Sequence, residues 1–335
     1  MPDINKQGAD IRLDLSCLRA PLPRGLVGEL AAELEKIQYY PSGSYEKLRR
    51  TFASYAGVEP DQVAVGNGLD EVIDLVTRAW PGRVLIPVPT FSQYELAASR
   101  AACEAVLVPS LKEGCYRIAF SPAEIKTASL VWVCTPNNPT GTTVPRRTIM
   151  KLLKSAEGMV AVDECYFEFC GETVVDLIGS YPNLVVLRSF SKSFGLAGLR
   201  LGFAISTAAN IAVLNGLRQI FNVNRIAEAA GVIALKYLPR FREIWAEVAD
   251  IREHFSAGLE HCGCRPLASA ANFVLVDFKT RERAERCWQT LRNAGIHTFP
   301  AWDEEFTALD GRYIRFTVGS AEEMEKTLEV LRRRV

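Results

Sequence analysis

Between Val63 and Leu187 the chain repeatedly sets a short run of Val, Leu and Ile against a stretch of helical period. The apolar runs are Val63 to Val65, Val84 to Ile86, Ala105 to Val108, Leu130 to Cys134, Val160 to Val162 and Leu184 to Leu187. They are continuous rather than alternating, so each reads as a strand covered on both faces. Helical patterns over Asp70 to Ala79, Tyr94 to Ala102 and Arg147 to Glu157 fall between them, and two more, Glu29 to Lys36 and Tyr45 to Tyr55, precede them. Strands and helices in alternation predict an α/β domain with a mainly parallel sheet covered by helices. Near Tyr237-Leu238-Pro239 the rhythm changes. A long amphipathic pattern, Phe241 to Leu259, leads to a strand (Asn272 to Phe278), a helix (Arg283 to Asn293), a strand (Tyr313 to Thr317) and a last helix (Glu322 to Arg333). That order predicts a smaller α+β domain. At 335 residues the chain is too long for one small core. The expected division is an N-terminal arm over residues 1–40, Pro-rich near Pro21 and Pro23, a large domain over 41–238 and a small C-terminal domain over 239–335.

Composition narrows the class. Apolar residues make up 48% and charged residues 23%, with 39 basic and 39 acidic side chains. A formal charge of zero gives no global field toward nucleic acid or an anionic membrane. The basic tail Arg332-Arg333-Arg334 follows Glu322, Glu323, Glu325 and Glu329 on one helical pattern, which fits the helix dipole more simply than a nucleic-acid role. No apolar run reaches membrane-spanning length, and Met1-Pro2-Asp3-Ile4-Asn5-Lys6 does not read as a signal peptide, so a cytoplasmic protein is expected. Nine scattered cysteines favour reduced thiols over a disulfide framework. Cys262-Gly263-Cys264 has no second ligand pair, and His254, His261 and His297 form no cluster, so no metal site is expected.

The chemistry concentrates in Ser189-Phe190-Ser191-Lys192-Ser193-Phe194-Gly195-Leu196-Ala197-Gly198-Leu199-Arg200, read with Asp163-Glu164-Cys165-Tyr166. Lys192 sits between the buried runs Leu184 to Leu187 and Leu201 to Ile205, with hydroxyls beside it and a guanidinium eight residues on. A lysine amine attacks carbonyls only when neutral and held in place. This setting suits a Schiff base to a phosphate-bearing aldehyde, and pyridoxal 5'-phosphate is that aldehyde, with Asp163 as the aspartate that is the usual partner of its pyridinium nitrogen. A lone Ser-Lys-Ser is usually a solvated loop, and a lone Asp-Glu at a strand end is usually a cap. Their occurrence in order with three further motifs is what carries the reading. Gly66-Asn67-Gly68-Leu69-Asp70-Glu71 follows a strand and opens a helix, the arrangement of a phosphate site. Thr90-Phe91-Ser92-Gln93-Tyr94 brings an aromatic ring able to stack on a planar one. Pro136-Asn137-Asn138-Pro139-Thr140-Gly141 is a fixed turn carrying amide donors.

Taken together these motifs resemble fold-type I pyridoxal-phosphate enzymes of the class I/II aminotransferases, most closely the histidinol-phosphate aminotransferase subfamily, over about residues 36 to 334. Threonine-phosphate decarboxylases share the pattern. The resemblance implies that Lys192 is the Schiff-base lysine and moves a proton during catalysis, and that Asp163 pairs with the pyridinium nitrogen. It implies that Tyr166 and Asn138 donate to the ring's phenolate oxygen and that Phe91 stacks on the ring. Leu69, Asp70, Ser189, Ser191 and Arg200 would form the phosphate cup. Tyr40 would reach the phosphate of the neighbouring subunit in a homodimer. Arg315, in Tyr313-Ile314-Arg315-Phe316-Thr317, would clamp a substrate carboxylate, which a bidentate guanidinium suits.

Two departures fall on the substrate side. Leu15-Ser16-Cys17-Leu18 and then Arg19 stand where relatives carry Asn-Glu-Asn-Pro, and His297-Thr298-Phe299-Pro300 stands where many carry a distal-anion arginine. Arg19 and Arg24 are then the candidates for a distal phosphate. Transamination is expected, between an amino donor and a keto acid such as 2-oxoglutarate. Histidinol phosphate with glutamate comes first, and an aromatic amino acid close behind because Phe299 makes the pocket more apolar. A threonine-phosphate-type decarboxylase is the alternative. A sensing module of a transcription regulator is disfavoured, since residues 1–40 are too short for a DNA-binding domain.

Overall fold

The computed structural model describes residues 10–302 and 306–332. Arg333 and Arg334 of the basic tail, and the segment from Met1 to Lys6, lie outside the described residues. A seven-stranded sheet forms the centre, in the order Val63–Asn67, Leu201–Ile205, Leu184–Ser189, Met159–Asp163, Leu130–Cys134, Arg83–Val88 and Glu104–Pro109. All strands run parallel except Leu201–Ile205, which is antiparallel to both neighbours. Every residue of Leu130–Cys134, Met159–Asp163 and Leu184–Ser189 is buried, which explains why these runs are apolar without alternation.

A five-stranded sheet forms a second layer, in the order Ile11–Leu13, Ile296–Pro300, Tyr313–Thr317, Phe273–Asp277 and Arg265–Pro266. It packs beneath the helices Leu238–His261, Arg281–Asn293 and Ala321–Arg332, with Phe255, Leu259, Leu291, Phe316 and Leu328 in its core. The long helix begins at Leu238, where the sequence rhythm changes.

Two elements differ from the sequence expectation. The segment read as an extended arm contributes the strand Ile11–Leu13, which pairs parallel with Ile296, His297 and Thr298 because Ile11 and Leu13 bury their side chains in the second core. The helix expected over Glu29 to Lys36 begins earlier, at Arg24, and runs to Glu33, with a 3-10 turn over Leu34–Lys36. The strand Ile296–Pro300 was not anticipated: its buried and half-buried residues alternate, and His297, Thr298 and Pro300 mask the apolar signal.

Two consecutive acids end the strand Met159–Asp163 and its exit, and they serve different faces. Glu164 is fully buried and accepts from Arg188 of the adjacent strand, with Nε and Nη2 at 3.1 and 3.0 Å from Oε2. Thr173 Oγ1 and the Val174 amide complete its shell at 2.8 and 2.7 Å. The Arg188 guanidinium also lies 3.7 Å from the Phe167 ring centroid. This ion pair ties the strand before Lys192 to the strand bearing Asp163. Replacing Arg188 with Met leaves Glu164 buried without its counter-charge, and is expected to lower unfolding stability by about 3–5 kcal/mol. Denaturant unfolding of the two proteins at neutral pH measures this, and a loss below about 1 kcal/mol would contradict it.

Candidate active site

The carboxyl ends of the parallel strands converge on one edge of the large sheet, where open α/β sheets bind ligands. The chain leaves Val88 toward Phe91, Cys134 toward Asn138, Asp163 toward Tyr166, Ser189 toward Lys192 and Asn67 into the helix Gly68–Ala79. These exits and the second sheet enclose a cavity of about 520 Å³. Leu69, Asp70, Phe91, Asn138, Asp163, Tyr166, Ser189, Ser191, Lys192, Arg200 and Arg315 all line it. The sequence scatters these residues over nearly 250 positions, and the topology gathers them.

At the cavity floor Asp163 is buried, with Oδ1 accepting from the Cys165 amide at 2.8 Å and Oδ2 from the Tyr94 hydroxyl at 2.6 Å. Burial pushes its carboxyl up to about 6, against the lowering effect of those two donors. A buried carboxylate favours a cationic N–H partner in this cavity. Burial also pushes the Tyr166 phenol well above its usual range, so it remains a hydrogen-bond donor. Its ring meets Phe273 edge-on at 5.1 Å.

At one side the helix Gly68–Ala79 points its first turn toward Ser189, Ser191 and Arg200. Amides of a helical first turn have no intrahelical acceptor, so they favour an anion. Gly68 has φ of 77°, and a Cβ there would collide with the Arg200 guanidinium. Arg200 itself takes a left-handed backbone, φ of 56°, held by its bond to Asp70 Oδ2 at 2.7 Å.

On the opposite side Arg315 is buried and donates from Nη1 to Asn138 Oδ1 at 2.5 Å and from Nη2 to the Asp14 carbonyl at 2.8 Å. Phe299, Phe306 and Phe273 surround its guanidinium, with ring centroids at 4.8, 5.3 and 5.4 Å. With Asn138 Oδ1 occupied as acceptor, its amide nitrogen is left to donate. The turn before it is fixed by Asn137, which accepts from Thr90 Oγ1 at 2.7 Å and donates to the Pro89 carbonyl at 3.1 Å.

Lys192 Nζ donates to the Leu15 carbonyl at 3.1 Å. The loop behind it is clamped by aromatic packing. Phe194 stacks on Phe190 at 4.4 Å and meets Trp245 edge-on at 5.4 Å, while Trp245 Nε1 donates to the Ser193 carbonyl at 2.7 Å. A strap from Asp14 to Ser16 crosses the cavity from the second sheet. The Ser16 amide donates to Thr317 Oγ1 and Asn272 Nδ2 to the Ser16 carbonyl, both at 2.9 Å.

Three sequence candidates stand apart from the cavity walls. Arg19 pairs with Glu323 of the last helix, and Arg24 is the first residue of its own helix. A carboxylate brought in from 304 positions away claims the Arg19 guanidinium, a partner that no local pattern announces. Tyr40 is 78% exposed and stacks on Phe221 at 4.8 Å, outside the cavity. Sequence reasoning also missed wall residues. Asp14 of the strap is one case, and behind the wall Tyr94 was missed too, its signal being only a second aromatic three positions after Phe91.

A sequence model described as aminotransferase class I and II matches residues 18–331. The chain belongs to that family. It is 35% identical to the histidinol-phosphate aminotransferase of Desulfitobacterium hafniense over 96% of this chain and 91% of that one. With the corresponding protein of Methanothermobacter thermautotrophicus it shares 33% identity, over 91% and 83% of the two chains. Among solved structures, the histidinol-phosphate aminotransferase of Sinorhizobium meliloti in complex with pyridoxal-5'-phosphate superposes with a TM-score of 0.88 at 22% identity, covering 97% of this chain and 92% of that one. The L-threonine-O-3-phosphate decarboxylase of Porphyromonas gingivalis gives 0.85 at 24%, covering 96% and 98%. At such identities the structures speak for the fold, which is that of the fold-type I enzymes. Membership of the family implies pyridoxal phosphate as the cofactor class. Among the described residues no helix is long and apolar enough to cross a membrane.

Beneath the lysine loop, Tyr55 donates to the buried Glu168 Oε1 at 3.0 Å. Burial pushes the Glu168 carboxyl up to about 7. A carboxyl whose folded value exceeds its unfolded value binds more protons when folded, so stability falls as pH rises between the two values. The window here runs from about 4.5 to about 7. Replacing Glu168 with Gln is expected to flatten this part of the stability–pH curve, removing a decline of up to about 3 kcal/mol. Thermal unfolding of both proteins from pH 5 to pH 8 checks the slope, and parallel curves would refute the assignment.

Proposed function

We propose that the chain is a pyridoxal-phosphate-dependent aminotransferase that exchanges the amino group of histidinol phosphate with that of glutamate. The observation that carries the reaction type is the convergence of Lys192, Asp163, Asn138 and Arg315 in one cavity beside an anion-favouring helix start. The fit to the cofactor is chemical: a reachable amine, a buried carboxylate for a ring N–H, and amides with hydroxyls and a guanidinium for a phosphate. When bound, pyridoxal phosphate supplies an aldehyde that condenses with amines and a ring that withdraws electrons from the substrate α-carbon.

In this reading each residue of the cavity takes a role. The first-turn amides at Leu69 and Asp70, with Ser189, Ser191 and Arg200, hold the phosphate. Asp163 keeps the ring nitrogen protonated, while Tyr166 and Asn138 donate to the phenolic oxygen. Phe91 covers one ring face. Lys192 Nζ takes the proton from the substrate α-carbon and returns it at the next step, acting as general base and then general acid. Arg315 receives the carboxylate of glutamate or of 2-oxoglutarate, exchanging its contact with the Asp14 carbonyl for a charged partner. Phe299, Phe306 and Phe273 exclude water around that ion pair.

Support for histidinol phosphate comes from the relatives at 33–36% identity that carry that name. One structural observation favours a second donor class. The rings of Phe299 and Phe306 meet at 5.1 Å next to Arg315, and Arg19, a candidate for the distal phosphate, is paired with Glu323. An apolar wall without that guanidinium suits phenylalanine or tyrosine. Catalytic efficiencies for histidinol phosphate, phenylalanine and tyrosine, each with 2-oxoglutarate and with Lys192→Ala as control, test the proposal. The expected result is keto-product formation that depends on 2-oxoglutarate, falls by several orders of magnitude in Lys192→Ala, and favours histidinol phosphate over the aromatic pair by less than about 100-fold. Carbon dioxide release without a keto acid would replace transamination by decarboxylation.

The proposal includes a homodimer in which Tyr40 completes the neighbour's phosphate site. Its support is the exposed apolar surface formed by Leu34, Ile37, Tyr39, Tyr40, Ile220 and Phe221. Obligate dimers bury large and apolar interfaces of this kind. Sedimentation should therefore give twice the chain mass, and Tyr40→Phe should weaken cofactor retention without dissociating the dimer. A fully active monomer at assay concentration would exclude this arrangement.

A further inference from the structure

Tyr94 lies at the back of the cavity in a position that the proposed reaction leaves without a role. It is fully buried on the first turn of the helix Gln93–Arg100, which it joins through a bond from its amide to the Phe91 carbonyl at 3.3 Å. Its ring stacks on Trp132 with centroids 4.5 Å apart and planes at 13°. Trp132 belongs to the strand Leu130–Cys134 and is itself fully buried, so the Tyr94 ring has no room to swing. On its other side it meets Phe91 edge-on at 5.9 Å and 87°. Its hydroxyl is thereby aimed at Asp163 Oδ2, at 2.6 Å, with the Cys134 thiol beside it.

That distance is typical of a hydroxyl donating to an ionised oxygen. The second oxygen of the same carboxylate takes the Cys165 amide at 2.8 Å. Each oxygen thus has one protein donor fixed by packing, and each keeps acceptor capacity for a group in the cavity. Without the hydroxyl, Asp163 would be a buried carboxylate supported by one backbone amide, free to rotate about its Cα–Cβ and Cβ–Cγ bonds and more costly to keep charged.

We infer that Tyr94 is a positioning residue for the cofactor ring: through its bond to Asp163 it fixes the orientation and the negative charge of the carboxylate that meets the ring nitrogen. One helical turn then serves the ring twice, with Phe91 against its face and Tyr94 behind its acid. The phenol acts only as a donor, because burial and the neighbouring Asp163 push it well above its usual range and it does not ionise.

This inference rests on pyridoxal phosphate being the cofactor. A double-mutant cycle on the full chain separates the two, with the dissociation constant of pyridoxal phosphate as readout and the absorbance maximum of the bound cofactor as a second. Tyr94→Phe removes only the hydroxyl and keeps the stack on Trp132. It should weaken binding about 10- to 100-fold, the size of a hydrogen bond to a charged group, and shift the absorbance maximum. In an Asp163→Asn background the same change should alter binding by less than about twofold, since the carboxylate it serves is gone. Equal losses in both backgrounds, or no loss in either, would overturn the positioning role and leave Tyr94 a packing residue. A wild-type chain that takes up no pyridoxal phosphate would overturn the functional reading, and this role with it.

Discussion

The structure depends on placing two carboxylates where almost no water reaches, side by side at the exit of a central strand. Asp163 faces the cavity and Glu164 faces away from it, as alternation along an extended chain requires. Each is stabilised by different means. Glu164 meets the full charge of Arg188 and sits in a closed shell of donors. Asp163 has only neutral donors, a phenol and an amide, so its charge remains incompletely balanced. Charge balance for one acid fixes the strand beneath the lysine loop. Imbalance at the other creates a demand for a cation inside the cavity. The two together make the site rigid and receptive at once.

The strand exits that line the cavity were legible in the sequence because each is local. Gly66 to Glu71, Asn138 in its Pro-rich turn and the Ser189 to Arg200 segment each follow a buried apolar run directly, and a parallel sheet brings such exits to one edge. The substrate side was far less legible because its contacts join distant segments. Arg315 finds the Asp14 carbonyl 301 positions away, and Arg19 finds Glu323 across 304. A guanidinium read without its partner looks available when it is not. Tyr94 was hidden for a different reason: a buried aromatic on a helix is the commonest core feature, and only the direction of its hydroxyl gives it another meaning.

The second sheet illustrates the same limit at the level of the fold. Its strands Phe273–Asp277 and Tyr313–Thr317 are apolar runs interrupted inside only by Arg315 and ending in Asp277 and Thr317, and periodicity finds them. Ile296–Pro300 carries the consecutive polar residues His297 and Thr298 and ends in proline, and Ile11–Leu13 has only three residues. Short or mixed strands acquire their identity from neighbours rather than from their own composition. The three phenyl rings around Arg315 extend this logic to specificity, since they come from three different strands and loops of that layer.

The pairing of Ile11–Leu13 with Ile296–Thr298 has a consequence for how the molecule assembles. The first and last portions of the chain share one sheet, and the whole seven-stranded unit is inserted between them. During synthesis the central sheet can complete itself while the early strand still waits for a partner almost 300 residues downstream. Loop closure over that distance comes late, because its entropy must be met before any of its contacts form. The strap that crosses the cavity and the wall that carries Phe299 and Arg315 therefore belong to the same late-forming sheet. The wall of the cavity that holds Arg315 is completed only once the strand Tyr313–Thr317 is available to pair.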